Sequence, residues 1–152
     1  MKQVFALFSV LFVPIIGAII VQRYLQSPSK IPTANINKHT FNIQVAKTPE
    51  EKEIGLSSKK SLDKNAGMLF PFEKPGYYAF WMKNMKFPID IIYIRNGRIV
   101  KIHENVKPPT NANENPPIYN SSKPADTVLE INAGLSEKYN FKEKDLVKIS
   151  NL

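Results

Sequence analysis

Phe80-Trp81-Met82-Lys83-Asn84-Met85-Lys86-Phe87-Pro88-Ile89-Asp90-Ile91-Ile92-Tyr93-Ile94-Arg95-Asn96-Gly97-Arg98-Ile99-Val100 is the stretch whose reading decides the fold. It holds the only Trp of the chain and reads as two apolar strands joined by a short basic turn. A third strand follows Asn96-Gly97. Asn-Gly between apolar runs predicts a two-residue type I′ hairpin, because both residues tolerate the positive φ that such a turn demands. Pro88 opens its strand, where it need not donate to the ladder.

Working outward toward the C-terminus, residues 99–103 form the returning strand. Residues 106–124 hold five of the twelve prolines and read as a long loop of the kind that is often functional. Residues 127–131 are a strand, Asn132-Ala133-Gly134 turns into a short helix over 135–139, and residues 145–149 close the chain as a strand.

Toward the N-terminus, residues 77–82 are a strand. They follow a buried strand over 67–72 and a turn at Lys74-Pro75-Gly76. Because residues 80–82 are apolar on both faces, the 77–82 strand is expected to be covered on both sides. Thr48-Pro49-Glu50-Glu51 predicts a helix start: Thr48 can cap, Pro49 suits the first helical position, and Glu51 can complete a capping box. Gly55 ends that helix within two turns. Residues 57–66 are polar, with Leu62 as their anchor to the core. Residues 40–46 alternate Phe41, Ile43 and Val45 against Asn42 and Gln44, the pattern of a half-buried strand. The expected fold is therefore α+β and mainly antiparallel: a barrel-like or curled sheet of about seven short strands with two short helices.

Residues 4–21 are an uncharged apolar run broken only by Ser9, Pro14 and Gly17. At about 1.5 Å per residue a helix of that length spans a bilayer core. Residues 1–25 are read as a transmembrane anchor, a cleaved signal segment being the alternative. Residues 26–36 are an extended linker, and residues 37–152 are the globular domain. Lys2 favours a cytoplasmic N-terminus and an extracytoplasmic domain, although Arg23 and Lys30 on the far side weaken that signal. A secreted domain results if the segment is cleaved.

The formal charge is +8; all thirteen acids and eighteen of the twenty-one Lys and Arg lie beyond the N-terminal segment and its flanks, which leaves +5 there. Scattered Lys and the lack of a recognised nucleic-acid motif argue against a nucleic-acid partner. The absence of Cys excludes disulfides, thiolate nucleophiles and Cys-based metal sites. Only His39 and His103 are present, which excludes a His-rich metal site, and no cofactor motif occurs.

Gly67-Met68-Leu69-Phe70, Phe80-Trp81-Met82-Lys83-Asn84, Pro88-Ile89-Asp90-Ile91-Ile92 and Val128-Leu129-Glu130 with Gly134 together resemble the DUF192 (UPF0127) family over residues 37–152. The resemblance implies a small α+β domain, often secreted or membrane-tethered in bacteria, and carries no established activity. Met85 stands where Thr is common. Thr110 and Pro116 stand where some members carry a Cys pair, so no redox or metal role follows for the 106–124 loop.

Asp90 in an apolar strand must be paired or hydrogen-bonded. It either ties down the 83–87 turn, through backbone N–H groups or Lys83 or Lys86, or stands with Asn84 at the mouth of a Trp81-floored pocket. The ligand-binding candidates are Trp81, Lys83, Asn84, Asp90, His103 and Glu104. Three functions follow: binding of a small ligand or envelope component, a hydrolase using Asp90 with His103 or Glu104 as acid and base, or a structural partner-binding module. The sequence leaves the oligomeric state open.

Overall fold

The computed structural model describes residues 30–111 and 116–152. The apolar segment over 4–21 therefore lies outside the described residues. Among those described, no helix is long and apolar enough to cross a membrane.

The elements run β1 (Thr33–Ile36), β2 (His39–Val45), α1 (Pro49–Ile54), a 3-10 turn (Gly55–Ser58), β3 (Ala66–Gly76) and β4 (Ala79–Trp81). They continue with β5 (Ile89–Arg95), β6 (Arg98–Val106), β7 (Ile118–Asn120), β8 (Ala125–Asn132), α2 (Leu135–Lys138) and β9 (Val147–Ser150). Seven strands form one sheet in the order β6-β5-β8-β3-β2-β1-β9, and β4 and β7 form a separate ribbon. Within the sheet only β2 and β3 pair in parallel. The edges turn toward each other: Arg98 bridges Leu146, and Val147 N–H donates to Gly97 O at 2.8 Å. The expected curled, mainly antiparallel sheet with two short helices is what the chain adopts.

The sheet buries both faces, and residue parity assigns each side chain. Leu69, Ile92, Leu129 and Ile131 join Phe41, Ile36 and Val147 in a core to which all seven strands contribute, the concave side. Met68, Phe70, Ile91, Tyr93 and Val128 point the other way and are covered by Leu56 of the 3-10 turn and Phe80 and Tyr119 of the ribbon. Double coverage explains why β5 reads as an unbroken apolar run.

Local signals explain the joints. Thr48 accepts from Glu51 N–H and Glu51 accepts from Thr48 N–H, which completes the capping box, and Gly55 takes φ 49° at the helix end. Asn96 and Gly97 have φ of 49° and 68°, as a type I′ hairpin requires. Leu62 packs against the convex-side core, and Asn132 Nδ2 donates to Leu62 O and Asp63 O, so the middle of the polar 57–66 segment is held to β8.

Three expectations are corrected. β1 lies inside the expected linker and buries Ala34 and Ile36 completely, so the fold begins before residue 37. Its hairpin turn is Asn37-Lys38, with φ of 47° and 74°, and it carries no glycine to betray it. The 77–82 strand shrinks to three residues in the ribbon, and Trp81 is 52% exposed, so that strand is not covered on both sides. Finally, β7 interrupts the 106–124 loop, because Ile118-Tyr119-Asn120 finds a partner in β4.

Candidate functional site

β8 runs between β3 and β5, and its registers set Glu130 opposite Met68 on one side and Ile91 on the other. Parity places Glu130 with Val128 on the convex side, beneath the 3-10 turn and the ribbon. It is 5% exposed, and what remains accessible opens into a cleft of about 320 Å³. Among the described residues its carboxyl group has no hydrogen-bond or ion-pair partner. Burial alone pushes its pKa up to about 8, because the charged form is poorly solvated there. At neutral pH it is mainly a neutral acid that can donate one hydrogen bond.

Aromatic rings wall the cleft. Phe70 meets Phe80 edge-on at 5.1 Å, Phe72 stacks on Tyr78 at 3.5 Å, and Trp81 closes the outer side. Lys52 and Lys83 stand at the rim with their ammonium groups over Phe72 and Trp81, at 4.7 and 5.1 Å from the ring centroids. Glu53 adds one acid to the rim. α1 and the 3-10 turn supply one wall, so the Thr48 cap and Gly55 position it. Behind the floor, burial and the nearby Glu130 both raise the Tyr93 phenol, which donates to Tyr119 O at 2.6 Å and so ties β5 to the ribbon.

Of the six residues expected from the sequence, Trp81 and Lys83 line this cleft, Trp81 as wall and not as floor. Asn84 is exposed, with φ 61°, in the turn after the ribbon and lines no described cleft. Asp90 is fully buried. Its Oδ1 accepts from Asn105 N–H at 2.8 Å and Gly134 N–H at 3.0 Å, and its Oδ2 accepts from Ser136 N–H at 2.8 Å. Backbone donors do hold it, but they belong to β6 and the start of α2, not to the 83–87 turn or its lysines. Carboxylate oxygens so engaged are ill-placed for acid–base work. His103 Nε2–H donates to Asn120 O at 2.8 Å and supports the ribbon, while Glu104 is exposed.

Glu130 is the candidate site residue that sequence reasoning missed. The signal was a lone acid inside Val128-Leu129-Glu130-Ile131, an otherwise apolar strand, where an unpaired carboxyl group is costly.

Comparison with known proteins agrees with this architecture. A chain from Sinorhizobium meliloti 1021, described as a candidate transcription regulator, superposes with a TM-score of 0.69 at 29% identity, over 80% of this chain and 93% of its own. A protein of unknown function from Novosphingobium aromaticivorans DSM 12444 gives a TM-score of 0.66 at 31% identity, over 78% and 83%. No curated protein matches. The model of the DUF192 family (uncharacterized ACR) matches residues 32–149, from β1 into β9, and the chain belongs to that family.

Proposed function

We propose that the domain binds a small amphipathic ligand in the cleft above Glu130, and that residues 4–21 hold it at the outer face of a membrane. The carrying observation is the partnerless, buried carboxyl group of Glu130 at the floor of an aromatic cleft. Apolar walls with a few convergent polar groups characterise small-molecule sites. A carboxyl group kept unpaired in an apolar setting costs stability, which is typical of groups retained for function. The uncharged apolar run of residues 4–21 supports the anchor.

Trp81 is the only Trp and lines the cleft, so its emission reports occupancy. Anilinonaphthalene sulfonate, an aromatic anion suited to the walls and the lysine rim, should shift that emission saturably. Ser57→Phe, which adds bulk to a lining position, should abolish the shift. An emission unchanged by the probe, or changed equally in Ser57→Phe, overturns the reading.

A further inference from the structure

Resting on the cleft as a binding site, we infer that its ligand is a zwitterion, with an ammonium group seated against Glu130 and the aromatic walls and an anionic group held at the rim by Lys52 and Lys83. Five rings line the cleft: Phe70, Phe72, Tyr78, Phe80 and Trp81. Aromatic faces attract organic cations, and two of these five already carry a lysine ammonium of the protein itself. The floor supplies the counter-charge. Glu130 is nine-tenths buried or more, opens into the cleft and has no partner there, so an arriving ammonium meets a carboxyl group free to pair with it. The rim carries the opposite preference. Lys52 and Lys83 outnumber Glu53, so an anion is favoured at the mouth and a bare cation is opposed.

The charge balance is explicit. Glu130 enters as a neutral acid, releases its proton to solvent as the ammonium docks, and remains as a carboxylate paired with it. The other titratable groups around it are Tyr93 behind the floor, Tyr78 in the wall, and Lys52, Lys83 and Glu53 at the rim. Binding should release close to one proton at pH 7, about 0.9 if the acid titrates near 8. Two sources share this chemistry: a zwitterionic phospholipid headgroup and a free small zwitterion.

The test is calorimetric titration of the full chain in non-ionic detergent micelles, at pH 7, in buffers of different ionisation enthalpy. The soluble probes are glycerophosphoethanolamine, glycerophosphocholine, ethanolamine and glycerol 3-phosphate. The expected result is binding of a glycerophospho-zwitterion with proton release near one. Its affinity should exceed that of ethanolamine or glycerol 3-phosphate at least tenfold. Glu130→Gln should weaken it at least tenfold and remove the proton release, and the Lys52→Ala/Lys83→Ala pair should weaken it with the release retained. A second arm adds vesicles of phosphatidylethanolamine or of phosphatidylglycerol alone to the chain. Preference for phosphatidylethanolamine together with binding of the soluble probe supports the inference with a headgroup as ligand; binding of the soluble probe alone supports it with a free zwitterion. Equal binding of glycerol 3-phosphate, or binding unaffected by Glu130→Gln, overturns the zwitterion while leaving the cleft a binding site. Failure of the zwitterions while anilinonaphthalene sulfonate still moves Trp81 does the same. Silence of every probe, that dye included, overturns both.

Discussion

Asp90 Oδ2 accepts the backbone N–H of Ser136 at 2.8 Å, and neither residue has any exposure to solvent. That bond, with those from Gly134 and Asn105, uses one β5 carboxylate to fasten the start of α2 and the bend in β6. Asn105 takes φ 54° at that bend, where β6 shifts register against β5. Asp90 is therefore a fold-specifying residue.

Removing it should be costly. Asp90→Ala leaves three backbone donors without their acceptor, and a loss of about 3–5 kcal/mol follows from the penalty of unsatisfied buried groups. Asp90→Asn keeps one acceptor oxygen and should lose about 1–3 kcal/mol. Chemical denaturation measures both. A loss under about 0.5 kcal/mol in Asp90→Ala would contradict the staple.

Glu130 should behave in the opposite sense. Its folded-state pKa is raised from 4.5 to about 8, so the folded chain holds this proton more tightly than the unfolded one. The stability it confers is complete below about 4.5 and is lost as the pH climbs toward about 8, by at most about 5 kcal/mol. Glu130→Gln should flatten that slope, and Glu130→Met should melt above wild type at pH 8, since the buried charge is gone. Melting curves at pH 5, 6.5 and 8 decide it. A wild-type profile parallel to that of Glu130→Gln would count against the raised acid.

The Asn96-Gly97 turn admits a separate check. Gly97 has φ 68°, and a Cβ there would sit 3.4 Å from Val147 O, where the hairpin touches β9. Gly97→Val should cost about 1–3 kcal/mol through backbone strain. An unchanged thermal midpoint would mean that the turn relaxes freely.

How legible these features were depends on whether the deciding physics is local. The capping box at Thr48 and Glu51, the Asn96-Gly97 turn and the alternation of β2 each follow from neighbours a few residues apart, and each was readable. β1 and β7 were not: β1 meets its neighbour β2 through a turn without glycine and is fixed on its other side by distant β9, and β7 is a strand only because distant β4 pairs with it. The site divides the same way. Trp81 and Lys83 were legible from their own motif, whereas the donors to Asp90 come from 15, 44 and 46 residues away. Glu130 gave a compositional signal, but the cleft above it needs α1 and the ribbon to fold over the sheet.

The N-terminal segment makes its own prediction. A chain held by residues 4–21 should stay in the membrane fraction through an alkaline carbonate wash and keep its N-terminus intact by mass spectrometry. Release by the wash, or an N-terminus beginning after Ala18, would replace the anchor with a secreted domain.

Glu130 stands as a neutral, unpaired acid at the floor of the cleft. Carbon-13 NMR of its side-chain carboxyl group, followed from pH 4 to pH 10 in the ligand-free chain, tests that most directly. The predicted result is a single titration centred at about 8. A midpoint at the ordinary value of 4.5 would show a solvated or already paired carboxylate and contradict the account.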